Sequence, residues 1–187
     1  MRKLILWDLV TLDGYFEGEK KWDLDFHNLV WGRELEDFSL EQLKSAEFLI
    51  FGEVTYKGMM DYWQTATDEN AEIAGFMNSI KKIVCSPTLI IAEWNNTTII
   101  KDAVPEIKIL KQEGEGNLFV FGSGNLAQAL INAKLFDEYR LLIVPVLLGN
   151  GNHLFKPGLN YQKLTLLEAR SLSNGGVLLR YSPFIPQ

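Results

Sequence analysis

The residues best placed to do chemistry are Gly122-Ser123-Gly124-Asn125. They follow an apolar run, Leu118 to Phe121, and precede Leu126, Ala127, Leu130, Ile131 and Leu135, which recur at helical spacing. The first amides of a helix lack intrahelical partners, and the helix dipole places partial positive charge there. Glycines let a ligand approach the backbone closely. The set suits a phosphate or pyrophosphate. The same spacing also fits a tight turn in which Ser123 or Asn125 caps the helix. Gly52-Glu53-Val54-Thr55 repeats the pattern after the apolar run Phe48 to Phe51. There Thr55 could donate its hydroxyl to a phosphate, or cap and pack. Thr11-Leu12-Asp13-Gly14 stands at the carboxyl end of the first apolar run, where ligands of open α/β sheets bind, and also reads as a plain connecting turn. Between Tyr15 and Trp31, acids alternate with aromatics: Glu17, Glu19, Trp22, Asp23, Asp25 and His27. They could line a pocket for a flat heterocycle, or Asp23 or Asp25 could cap a helix.

These residues need a sheet to position them. Strands are expected over Lys3–Val10, with Asp8 an oddity inside it, and over Phe48–Phe51, Lys82–Cys85, Thr97–Ile100, Leu118–Phe121 and Leu141–Leu148. Helices are expected over Glu34–Ala46, re-starting at the capping-box pattern Ser39 to Gln42, from Glu53 towards Trp63, over Asp68–Ser79, and from an Asp102 cap to Gln112. Strand, glycine turn, helix, strand from Asn117 to Phe155 is a βαβ unit. Lys163–Leu172 and Val177–Tyr181, separated by Ser173-Asn174-Gly175-Gly176, form a terminal hairpin. The expectation is one α/β domain over residues 1–187, mostly parallel with an antiparallel edge.

Composition narrows the partners. A net charge of -6 disfavours a nucleic-acid surface. No apolar run is long enough to span a bilayer, and the N-terminus reads as a strand rather than a signal peptide. A lone cysteine, Cys85, fits a reducing cytoplasm and a small buried apolar role. His27 and His153 are the only histidines, and no Cys/His cluster has metal spacing. Pro145 to Leu148 reads either as interior strand or as part of a homodimer interface.

The ordered motifs resemble the dihydrofolate-reductase-like family. They are most similar to stand-alone relatives of the reductase domain of bifunctional riboflavin-biosynthesis deaminase-reductases. The matching stretches are Thr11 to Gly14, Leu49 to Tyr56, Lys82 to Thr88, and Phe121 to Leu126 continued by Phe136-Asp137-Glu138 and Pro145 to Gly149. The resemblance implies a three-layer fold and a pyridine dinucleotide, NADPH or NADH, lying across the sheet. Gly122, Ser123, Gly124, Asn125 and Leu126 would hold the pyrophosphate. Gly52 and Thr55 would meet the adenosine-side phosphate, with Ser86 near the adenine ribose. Thr11, Asp13 and Trp22 would approach the substrate ring, and Asp25 would be the acid comparable to that of dihydrofolate reductases.

Three departures bear on specificity. NADPH-dependent members commonly place arginine where Glu53 stands and a basic residue where Pro87 stands. A charge-assisted bond to phosphate is worth about 1.5–3 kcal/mol, so losing one weakens NADPH by roughly ten- to a hundredfold. Phe121 occupies the place of a glutamate that meets the sugar-phosphate substrate in the deaminase-linked reductases. The activity implied is reduction of a small nitrogen heterocycle, similar to 5-amino-6-(5-phosphoribosylamino)uracil. The rivals are a dihydrofolate reductase and a non-catalytic nucleotide- or flavin-binding protein.

Overall fold

The computed structural model describes residues 2–66 and 71–186. These residues form an eight-stranded sheet in the order β5-β4-β3-β6-β1-β7-β10-β9. Its strands are β1 (Leu4–Thr11), β3 (Ala46–Gly52), β4 (Lys81–Cys85), β5 (Thr97–Ile100), β6 (Asn117–Phe121), β7 (Glu138–Val144), β9 (Leu164–Ser171) and β10 (Val177–Pro183). β5 through β7 are parallel, β10 runs antiparallel to β7, and β9 runs antiparallel to β10. A separate two-stranded ribbon pairs β2 (Tyr15–Glu17) with β8 (Asn152–His153).

Helices cover both faces. α1 (Arg33–Ser45), α2 (Glu53–Thr65) and α3 (Ala71–Ser79) bury their apolar stripes against Ile5, Trp7, Leu9, Phe51 and Phe119. α4 (Ala103–Leu110) and α5 (Gly124–Asn132) pack on Leu4, Leu6, Val10, Ile50 and Val120. Alternate residues of β1 thus belong to opposite cores, as a strand buried on both faces requires. Every residue of β1 is buried, Asp8 included.

Several expectations shift. α1 runs unbroken through Ser39, because Leu35, Phe38, Leu40 and Leu43 supply a continuous buried face. The segment after β2 holds only a 3₁₀ helix, Asp25–Leu29, whose N-cap is Leu24, so neither Asp23 nor Asp25 caps it. Asp102 takes the N-cap position of α4 without a side-chain capping bond. The strand expected over Leu141–Leu148 begins at Glu138 and ends at Val144, leaving Leu147 exposed beyond it. The helix expected from Asp68 is described from Ala71, and residues 68–70 lie outside the described residues. β9 is almost wholly exposed, and among the described residues its outer edge is unpaired in the sheet.

β7 starts early because its charged residues have partners. Glu138 accepts hydrogen bonds from Arg140 Nε (2.7 Å) and Arg180 Nε (2.8 Å). Burial alone would raise its pKa, but the two guanidiniums hold the carboxyl down at about 2. Arg140 also reaches Gln42 Oε1 at 3.2 Å and lies over the Phe119 ring. Removing one partner of a buried pair typically costs about 3–5 kcal/mol, because the other charge stays buried. Glu138→Ala is therefore expected to lower the unfolding free energy by about 3 kcal/mol, measured by urea denaturation. A loss below ~1 kcal/mol would show that the two arginines find other partners.

Candidate functional site

The chain order makes β6 the strand at which connections diverge, with β3 on one side of it and β1 on the other. The connection leaving β1 carries α1 over one face, whereas the connection leaving β6 carries α5 over the other. Open α/β sheets hold ligands where such connections diverge, beyond the carboxyl ends of the strands. β1 and β6 pair only as far as Trp7 opposite Phe121, while β1 continues beside β7 to Thr11. The two strands part beyond that rung, and a cavity opens there.

The cavity measures about 160 Å³. That is the scale of a cavity able to hold one benzene. Trp7, Phe16, Trp22, Trp31, Trp63 and Phe121 give it aromatic walls. Its titratable lining residues are Asp8, Glu17 and His27. Asp8 Oδ2 and His27 Nε2 are buried without hydrogen-bond partners among the described residues. Burial pushes the His27 pKa down to about 4, so the ring is neutral at pH 7. Glu17 is engaged: its oxygens accept from Trp22 N (2.6 Å) and Asn152 Nδ2 (2.8 Å). Asp8 is the residue that sequence reasoning left unassigned. The available signal was a single acid inside an otherwise apolar strand.

One rim of the cavity is a clasp around Ser123. Its Oγ accepts from Gly52 N (2.8 Å) and donates to Thr55 Oγ1 (2.7 Å). The hydroxyl therefore does not cap α5, as one reading of the sequence had it. A Cβ at residue 52 would lie 2.9 Å from Ser123 Oγ, so the clasp requires glycine. Ser123 itself takes left-handed φ, +60°, following Gly122 at +51°. At the start of α5, a Cβ on Gly124 would meet Phe16 Cε1 and the His153 carbonyl, both at 3.3 Å. Here glycine serves the chain's own packing. Asn125 does not cap either: its Oδ1 accepts from Lys156 Nζ at 2.7 Å. Leu126 is buried in the core.

The other expected residues fall in two places. Glu53 and Ser86 meet outside the cavity. Ser86 Oγ donates to Glu53 Oε2, as does Thr88 Oγ1 at 2.9 Å, and Lys57 Nζ reaches Oε1 at 2.6 Å. Lys57, then the two hydroxyls, hold the Glu53 pKa at about 2. Thr11 and Asp13 form a staple. Thr11 Oγ1 donates to Asp13 Oδ1 (2.6 Å), and Asp13 accepts from Gly149 N (2.8 Å) and Leu148 N (3.2 Å). Asp25 is exposed, and neither it nor the staple is among the described lining residues.

Trp22 closes the cavity from the loop after β2. Its φ of +64° is an outlier for a bulky residue. Its ring covers Gly58 of α2 so closely that a Cβ there would lie 2.2 Å from Trp22 Cε3. Such strain persists only where surroundings enforce it, often at ligand clamps. Gly58→Ala should evict the indole while leaving α2 intact, since alanine favours helix by about 1 kcal/mol over glycine. The expected readouts are a changed tryptophan emission and at least roughly fivefold faster trypsin cleavage at the exposed Lys20 and Lys21. Wild-type cleavage would show that Trp22 does not hold the loop.

Residues 2–178 match the family model described as the RibD C-terminal domain. A curated relative, the uncharacterized protein YyaP of Bacillus subtilis (strain 168), is 29% identical over 186 residues, covering 96% of this chain and 94% of its own. Among solved structures, a Shewanella sp. PV-4 protein named for riboflavin biosynthesis superposes with a TM-score of 0.80 at 19% identity, covering 98% of this chain and 99% of its own. Dihydrofolate reductase from Enterococcus faecalis, complexed with NADP(H), gives 0.62 at 16% identity, covering 97% and 96%. Among the described residues, no helix is long and apolar enough to cross a membrane, and no group of acids, histidines and cysteine is arranged to hold a metal. With its dihydrofolate-reductase-like sheet and a family model spanning nearly its full length, the chain belongs to the RibD C-terminal domain family.

Proposed function

We propose that the chain is a nicotinamide-dinucleotide-dependent reductase of a small nitrogen heterocycle, with an aminouracil of the riboflavin pathway as the substrate type. The aromatic-walled cavity where β1 and β6 part carries this reading. A dinucleotide bound there would supply hydride, and the chain would position the rings and exclude water. Trp7, Trp22 and Phe121 would sandwich a flat ring. Gly52, Thr55 and the Gly122-Ser123-Gly124-Asn125-Leu126 corner would bind the linking phosphates, with Lys156 adding positive charge beside Asn125. Thr11 and Asp13 act at one remove, by fixing the loop at Gly149.

The chemistry of the Glu53 corner fits a ribose diol better than a 2′-phosphate. A carboxylate only accepts hydrogen bonds, and so does a phosphate dianion, whereas ribose hydroxyls donate. Glu53 already takes two hydroxyl donors, from Ser86 and Thr88, which ribose hydroxyls can mimic. NADH is therefore expected to bind at least tenfold tighter than NADPH, measured by quenching of tryptophan fluorescence. Glu53→Arg should narrow or reverse that ratio by supplying a phosphate partner worth about 1.5–3 kcal/mol. Tighter NADPH binding by the wild type overturns the NADH assignment. Failure to bind either dinucleotide overturns the reductase reading. A binding protein without turnover is the second reading, favoured by Phe16 lying against Gly124; it predicts binding without oxidation of NADH when the aminouracil or dihydrofolate is added.

A further inference from the structure

Asp8 sits where the fold gains least from an acid. By strand alternation it belongs to the row Leu4, Leu6 and Val10, where an aliphatic side chain would continue the core. It is 8% exposed and lines the cavity. Its Oδ2 has no partner, and no ion pair reaches it among the described residues. An unsatisfied buried polar atom is costly, and an ionised one more so. Asp8 is also the first residue of β1 beyond the last rung shared with β6, the point where the strands part.

We propose that Asp8 is the proton donor of the reduction, passing its carboxyl proton to the nitrogen of a substrate C=N bond as the adjacent carbon receives hydride. The proposal rests on the reductase reading above. The π bond of C=N breaks. A C–H bond forms with the hydride and its electron pair, and an N–H bond forms with the Asp8 proton. The dihydronicotinamide is oxidised to the nicotinamide cation, the substrate is reduced to the amine, and Asp8 is left as a carboxylate that takes a proton from solvent.

The other titratable groups lining the cavity do not fill this role. Both oxygens of Glu17 already accept hydrogen bonds, and His27 has lost its proton well below pH 7. At Asp8, burial drives the pKa well above the ordinary carboxylate range. The Leu9 amide opposes this and the Glu17 charge adds to it. Asp8 therefore keeps its proton under conditions where an exposed aspartate has lost it.

Two measurements test the assignment, one without any ligand. The unfolded chain releases the Asp8 proton near pH ~3.9, and the folded chain releases it at higher pH. Stability from the retained proton is full below the unfolded value and is lost as pH rises towards the folded one. The melting temperature of Asp8→Asn minus that of the wild type should therefore climb as pH rises above about 4. A flat difference overturns the proposal. The second measurement is the single-turnover oxidation of bound NADH by 5-amino-6-(5-phosphoribosylamino)uracil or 7,8-dihydrofolate. Asp8→Asn should slow it by at least about a hundredfold, the range of general acid catalysis, with NADH affinity within about threefold of wild type. Asp8→Glu should recover part of the rate. The wild-type rate should fall with rising pH, and the Asp8→Asn rate should not. An Asp8→Asn variant with wild-type rate and pH profile overturns Asp8 while leaving the reductase standing. A wild type that binds no dinucleotide sinks the reductase reading, and this proposal with it.

Discussion

A single hydroxyl ties two turns together at the carboxyl end of this sheet. Ser123 Oγ takes the Gly52 amide and gives its proton to Thr55, joining the strand-to-helix turns after β6 and β3. Those turns belong to neighbouring strands whose helices leave on opposite faces. The bond fixes how far the carboxyl ends of β3 and β6 stand apart. With that edge fixed, the parting of β1 from β6 becomes a defined cavity rather than a frayed end. The geometry demands glycine at 52 and left-handed backbone at 122 and 123.

The architecture was legible because each element has a strong local cause. The uninterrupted apolar runs of β3 and β6 read as central strands, and Ser173 to Gly176 read as a hairpin turn. The ordered turns implied the family, and the family model spans nearly the same residues. The role of Ser123 was not legible, since its partners lie 71 and 68 positions away in the chain. Local grammar offered it only a cap. The start of β7 was misjudged for a related reason. Glu138 and Arg140 look like loop residues until Arg180 arrives from β10 to share their charge.

The site itself was read in fragments. Trp22, Thr55 and Gly122 do meet at the cavity, whereas Glu53 and Ser86 form a separate polar knot beside it. Asp25 was sought as the acid by position along the chain, but it faces solvent. Among the described residues, the acids that line the cavity are Asp8 of β1 and Glu17 of β2. A charge buried by tertiary packing carries no local signature beyond its apolar neighbours, and Asp8 has those on both sides. Trp22 shows the converse: its strained backbone is visible only once its ring is seen against Gly58.

The exposed strand at the far end of the sheet has a colloidal consequence. β9 offers an open edge with Leu164, Leu166 and Leu167 uncovered. Unpaired strand edges recruit other strands unless something keeps them apart. The surplus of acids supplies that repulsion at neutral pH, and it vanishes near the isoelectric point, about 5.0. Acidified or strongly salted solutions strip the molecule of its main defence against stacking edge to edge into larger particles.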